Sequence, residues 1–329
     1  MNNKPILIVL GEPNSVFSEL LFKVFKNKIN KKINRPLLII GSEKLLKAQM
    51  KALKYYLNIR KIKFFDNAKL NNKNINIIDV KYNFKKAFDK ISNKSEKYIN
   101  NCFKVALELL KKKQAFGLIN GPISKTHFLK KKYLGITEYL SRKLKMKKEP
   151  TMLIFNPNFS VCPITTHVPL NKVSKILSKK KIINDVININ NFYKKKIRIK
   201  PKIAILGLNP HCESVQKISE EDNVIKPAIK NLLKNKINVK GPFSADTFFC
   251  KKNLTSYDVA VGMYHDQVLT PMKTIFNFDA INLTLGLPFI RVSPDHGINS
   301  IMLGKTNQTH SLLYVQLIFL KKLNESHKT

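Results

Sequence analysis

A chain of 329 residues is about twice the length of a typical domain, which calls for one large α/β unit or two domains sharing a cleft. Apolar residues make up 43% and charged residues 25%, so a sizeable core is possible and a disordered or fibrous chain is excluded. The 60 Lys and Arg against 21 Asp and Glu give a net charge of +39, a field that attracts nucleic acid, anionic membrane and anionic small molecules without selecting among them. The basic residues fall in short clusters (Lys111 to Lys113, Lys130 to Lys132, Lys179 to Lys181, Lys194 to Lys196) between apolar stretches of a chain rich in Lys, Asn and Ile. That scatter describes solvated faces filled with lysine. A polynucleotide-binding protein, which needs aromatic residues interleaved with one basic face, is the remote alternative.

In chain order, Ile6 to Leu10 reads as a first buried strand closed by Gly11-Glu12-Pro13; it is too short for a membrane span or a signal-peptide core. Further strands are expected at Leu37 to Ile40, Ile75 to Val80 and Phe116 to Ile119. Before the last of these, Ile99, Cys102, Phe103, Ala106 and Leu110 share one helical face, with Asn93 and Glu96 spaced as a capping box. Met152 to Phe155, Val161 to Thr165 and Ile203 to Leu208 continue the strands, with Lys179 to Lys200 read as a solvated helix and its connections. A second helical face, Ile225, Ala228, Ile229 and Leu232, follows a cap arrangement of Ser219 and Asp222. Strands at Val259 to Tyr264 and Ile281 to Leu285 and a last helix from Ser311 to Leu323 complete an α/β pattern. Four widely spaced cysteines without a Cys-x-x-Cys pair suit a reducing compartment, the cytoplasm.

Several of the 11 glycines (Gly11, Gly41, Gly121, Gly241, Gly286) stand at or just beyond the end of an apolar run, where open parallel sheets place ligand-binding loops. Neither G-x-G-x-x-G nor G-x-x-x-x-G-K-S/T occurs, so any nucleotide is held without the standard glycine-rich cradle. Three strand ends deliver histidine: Thr165-Thr166-His167, Leu208-Asn209-Pro210-His211 and Met263-Tyr264-His265-Asp266-Gln267. Three imidazoles match the protein ligand count of a catalytic divalent-metal site; each could equally be a structural or capping residue. Lys273, Asn282 and Arg291 flank a run too apolar for a surface loop. They would clamp a phosphate or carboxylate, or pair internally with Asp266, Asp279 or Asp295. Asp246 and Asp295 follow apolar segments, where either could orient an imidazole, accept a proton or hold a ribose hydroxyl; Asp246 could also cap a helix.

Together these motifs resemble the 4-hydroxythreonine-4-phosphate dehydrogenase family of pyridoxal phosphate biosynthesis. The likeness runs from Gly11-Glu12-Pro13 through Asn120-Gly121-Pro122-Ile123-Ser124-Lys125, Gly135-Ile136-Thr137-Glu138-Tyr139, the three histidine motifs, Gly241-Pro242 with Ala245-Asp246-Thr247, and on from Asn282 to Gly297. It implies two α/β domains around a central cleft, similar to isocitrate and isopropylmalate dehydrogenases, with residues 1–130 and 270–329 in one domain and 131–269 in the other. It also implies a homodimer with the active site at the subunit interface, no specific nucleic acid or membrane partner, NAD (or NADP) as cofactor, and one divalent ion, Zn, Mg, Mn or Co. By the same resemblance His167, His211 and His265 are the metal ligands, and Ile136, Thr137, Lys273, Asn282 and Arg291 line the substrate. Lys273 and Asp246 take catalytic positions, and Gly286, Leu287, Pro288 and Asp295 cofactor positions.

The implied reaction is oxidation and decarboxylation of 4-hydroxythreonine 4-phosphate to 3-amino-2-oxopropyl phosphate. Three departures from the family pattern stand out. Ile136 replaces a family histidine near the substrate phosphate, and the turns after Pro13 and His211 lose their glycines, becoming Asn14-Ser15-Val16-Phe17 and Cys212-Glu213-Ser214-Val215-Gln216. Ile136 keeps open a related dehydrogenase of another phosphorylated hydroxy acid, such as a four-carbon sugar-acid phosphate.

Overall fold

A computed structural model describes residues 4–62, 70–130, 132–133, 135–213, 219–277, 279–293, 303, 313 and 316–321. They fall into two compact units, one built from residues up to Ile136 together with those from Pro288 onward, the other from Thr137–Leu287. The helix His265–Phe276 lies in the second unit because its buried Val268, Leu269 and Met272 join the core of that unit.

The first unit contains β1 (Ile6–Val9), β2 (Leu37–Gly41), β3 (Ile59–Lys61), β4 (Ile75–Asp79), β5 (Gly117–Asn120) and β12 (Ile290–Ser293), in the order β3-β4-β2-β1-β5-β12. Every pairing among them is parallel. Strands covered on both faces have no polar side to show, which is why Ile6 to Val9 and Leu37 to Ile40 are unbroken apolar runs with no exposed surface. Chain order reverses at β1, flanked by β2 and β5, and ligands favour the crevice beyond the carboxyl ends of strands at such a point. Glu12, 1% exposed, sits there. Burial raises its carboxyl above the usual range although the Ser95 hydroxyl donates to Oε2 at 2.9 Å. That bond uses the serine directly before the helix Glu96–Lys111, and the expected Asn93/Glu96 capping box does not form: Asn93 opens a short 3-10 turn instead.

The second unit contains β6 (Thr151–Phe155), β7 (Ser160–Thr165), β8 (Ile203–Leu206), β9 (Val239–Phe243), β10 (Val259–Tyr264) and β11 (Ile281–Leu285), in the order β11-β6-β7-β10-β8-β9. The pairings β7 with β10, β10 with β8 and β8 with β9 are parallel; β6 runs antiparallel to both β7 and β11. The carboxyl ends of β7, β8, β9, β10 and β11 therefore share one edge. Phe159, Val161, Ala204, Leu206, Phe248, Ala260 and Met272 belong to the core of this unit.

The stretch read as a solvated helix is amphipathic: Lys179–Phe192 buries Ile182, Val186 and Ile189. Asp185 is buried with them, where desolvation raises its carboxyl although Lys181 Nζ at 3.0 Å and Thr151 Oγ1 at 2.6 Å bond to it. The Ser219 and Asp222 cap forms, the Asp222 amide reaching Ser219 Oγ at 3.1 Å. The expected C-terminal helix lies largely outside the described residues; Leu313 and residues 316–321 within it are helical.

Candidate functional site

β7 and β10 pair in register with Tyr264 beside Thr165, so both strands end level and their next residues emerge together. His265 follows Tyr264 directly and His167 follows Thr165 after one residue, and their ring centroids stand 5.7 Å apart at 38°. Thr165 Oγ1 donates to the Met263 carbonyl at 2.7 Å and locks the two ends. His265 opens the helix His265–Phe276, and its Nδ1 lies 2.8 Å from Asp266 Oδ1. With the carboxylate accepting from Nδ1–H, Nε2 is the nitrogen presented for ligation, an arrangement that fixes ring and tautomer in metal sites.

His211 comes from the loop after β8. His167 (φ 54°) and His211 (φ 56°) both occupy the left-handed region, uncommon outside glycine, as does Cys212 (φ 59°). The loop is held from beneath by Glu221, which has no exposed surface. Oε1 of Glu221 accepts the amides of Leu208 (2.7 Å) and Asn209 (2.9 Å), and Oε2 accepts Asn209 Nδ2 at 2.8 Å. Burial alone would raise this carboxyl, but the bonds from Asn209 and Leu208 outweigh it and hold it below the usual range. Asp246, exposed in the helix Ala245–Phe248, is held low chiefly by the Ser244 hydroxyl, with the Thr247 amide and the charge of His211 adding to it. Its Oδ1 accepts the Ser244 hydroxyl and, at 2.8 Å, the Thr247 amide, while Ser244 and not Asp246 stands at the N-cap of this helix.

Among the described residues no group of three or more His, Cys, Asp or Glu stands close enough to hold a metal ion within one chain. The structure brings together His167 and His265, and packs the turn that carries His211 against the helix that carries Asp246. Two imidazoles at level strand ends fit a borderline divalent ion as part of its ligand set.

Of the anion-binding candidates, Lys273 lies two turns along the helix from His265, roughly 12 Å of rise. Asn282 is on β11, where its Oδ1 is buried with no hydrogen-bond partner among the described residues. Ile136 and Thr137 open the helix Ile136–Lys143, both half-buried. Arg291, on β12 in the first unit, has no exposed surface, and its Nε donates to Asn120 Oδ1 on β5 at 2.8 Å. Gly286 follows β11 with φ +87°, and Leu287 and Pro288 continue the bend toward β12. Asp295 lies outside the described residues.

The sequence reading missed Glu221 and Gln267. Gln267 was visible only as the end of Tyr264-His265-Asp266-Gln267, and Glu221 stands unmarked between Ser219 and Asp222 of the helix cap.

The family profile described as pyridoxal phosphate biosynthetic protein PdxA matches residues 32–313. A 4-hydroxythreonine-4-phosphate dehydrogenase of Sulfurihydrogenibium sp. (strain YO3AOP1) is 39% identical over 324 residues, covering 96% of this chain and 98% of the relative. A D-threonate 4-phosphate dehydrogenase of Salmonella typhimurium is 30% identical over 304 residues, covering 90% and 92%. Among solved structures, a 4-hydroxythreonine-4-phosphate dehydrogenase from Burkholderia phymatum superposes with a TM-score of 0.80 at 25% identity, covering 97% of this chain and 98% of that one.

Proposed function

The chain belongs to the PdxA family of pyridoxal phosphate biosynthetic proteins, and from that premise we propose that it oxidises and decarboxylates 4-hydroxythreonine 4-phosphate with NAD, giving 3-amino-2-oxopropyl phosphate. The observation that carries this reading is the His167–His265 pair at level strand ends, 5.7 Å between centroids. His167, His265 and His211 would hold one divalent ion, Zn, Mg, Mn or Co, and a ligand from a second copy of the chain, in a cytoplasmic homodimer, would complete the set. When bound, the ion supplies Lewis acidity at the substrate hydroxyl, and NAD (or NADP) supplies the hydride acceptor.

The chain's own groups do the rest. Lys273, Asn282 and Thr137, all in the second unit, would grip the substrate phosphate and so set the carbon to be oxidised at one distance from the histidines, and Arg291 would supply a further anion contact. Asp246, kept ionised, orients His211 and can take the hydroxyl proton. Gly286, Leu287, Pro288 and Asp295 would border the cofactor. The +39 charge serves no specific nucleic acid or membrane in this reading, and among the described residues no helix is long and apolar enough to cross a membrane.

A second reading is favoured by Ile136, an alkyl group where the family pattern has an imidazole, together with the D-threonate 4-phosphate dehydrogenase relative. Both readings are separated by following NADH formation with 4-hydroxythreonine 4-phosphate and with D-threonate 4-phosphate side by side. We expect kcat/KM to favour the aminated substrate by at least about tenfold, the ~1.4 kcal/mol of one well-made polar contact. A preference for the non-aminated acid assigns the chain to the second activity, and turnover of neither contradicts both.

A further inference from the structure

The three histidine-bearing strand ends are joined by a continuous set of hydrogen bonds outside the histidines themselves. Gln267, 9% exposed, lies at its centre. Its Oε1 accepts the Met263 amide at 2.6 Å, and its Nε2 donates to the Gly207 carbonyl at 2.8 Å, across 60 residues of sequence. Met263 precedes His265 by two residues, and its carbonyl accepts from Thr165, two residues before His167. Gly207 begins the loop to His211, whose next two amides end on Glu221.

Both clamps need the backbone to lie close beneath them. A Cβ on Gly262 would run into Val268 Cγ1 and stand 2.8 Å from Gln267 Oε1, and one on Gly207 would stand 2.6 Å from Cys212 Sγ and 3.2 Å from Glu221 Oε1, so a side chain at either position would crowd the clamping group together with its neighbour. The left-handed backbone at His211 lies in a turn closed by the Cys212 amide on the Asn209 carbonyl at 3.1 Å, and Glu221 holds Asn209 by its amide and its side chain.

We infer that Gln267 and Glu221 are positioning residues that set the His211 loop relative to His167 and His265. Neither touches substrate in this account. The inference rests on the proposed metal-dependent function for its consequence, but its geometric content can be read without metal.

The test uses the full-length protein, stripped by chelator. Hydrogen exchange is followed first in the metal-free chain, then cobalt(II) is titrated while its visible absorption is recorded. Gln267→Met keeps the side-chain volume and loses both bonds. It is expected to speed exchange through 207–211 and at Met263 at least tenfold, and to weaken cobalt binding about 10- to 100-fold with an altered spectrum. Gln267→Glu keeps the acceptor for Met263 but faces Gly207 with a carboxylate, and should resemble Gln267→Met through 207–211 and in cobalt binding while Met263 exchanges more nearly as in the parent. Glu221→Ala should weaken cobalt binding likewise, and Glu221→Gln, which retains an accepting oxygen for both amides, should restore it.

A merely structural role would lower the melting temperature of Gln267→Met and Glu221→Ala while leaving exchange at 207–211 and the cobalt spectrum of the folded protein as in the parent; that result overturns the inference. Should Gln267→Met fail to fold, the Glu221→Ala and Glu221→Gln pair decides by the same readouts. His265→Ala is the control for the reading beneath it. If that variant binds cobalt as the parent does, the metal assignment fails, and the exchange data alone decide whether the clamps position the loop.

Discussion

Alanine in place of His265 is expected to lower kcat by roughly a thousandfold or more, the equivalent of ~4 kcal/mol of transition-state stabilisation, with the melting temperature little changed. The size follows from the role proposed for the ring, since losing one ligand of a catalytic ion removes charge stabilisation at the reacting oxygen. The silence in stability follows from place: the His265 side chain is 34% exposed at a helix start, outside the apolar core beneath it. His167→Ala should behave alike, because its ring stands on the level strand end beside it. Steady-state kinetics and thermal melts on the same preparations check both halves. Activity within tenfold of the parent in either variant would remove these rings from the chemistry.

Arg291→Ala carries the second large effect, of a different kind. Loss of an anion contact by itself would raise KM and leave the fold alone. Arg291, however, is a fully buried side chain whose Nε satisfies Asn120 Oδ1. Truncation opens a cavity and strands that amide oxygen, which together should cost about 3–5 kcal/mol of stability. Arg291→Lys keeps a cation and most of the volume but not the planar fork. It should melt between the parent and Arg291→Ala and raise KM for the phosphorylated substrate by about 10- to 100-fold, with a smaller change in kcat. Denaturant unfolding and steady-state kinetics separate the two effects. A parent-like KM in folded Arg291→Lys would confine the residue to a packing role.

Much of this arrangement was legible in the sequence for a simple reason. In a parallel sheet covered on both faces, strands must be apolar throughout, so the first polar residues after each run mark the edge where ligands bind. His167 and His265 were found that way, and register puts them side by side. Three strands escaped notice. Val239–Phe243 contains Gly241-Pro242, which reads as a break and is tolerated because this strand ends the order, paired with β8 alone. Ile59–Lys61 is three residues long and partly exposed, and Ile290–Ser293 follows Pro288 at the end of a run read only for its anion-binding side chains.

The clamps were beyond reach for another reason. Gln267 meets Gly207 only because β10 and β8 are neighbours in space, and no local period announces a bond across 60 residues. The buried Asp185 was hidden likewise: a run of lysines and asparagines looks solvated until Ile182, Val186 and Ile189 are seen to share a face. His211 marks where the reading of residues stops, since its strand-end position was clear and its company was not.

X-ray absorption at the metal edge of the cobalt-loaded protein tests most directly whether these histidines form a cation site. The account predicts outer-shell scattering from three imidazoles, falling to two in His211→Ala and in His265→Ala. A spectrum of oxygen ligands alone, unchanged in those variants, would contradict it.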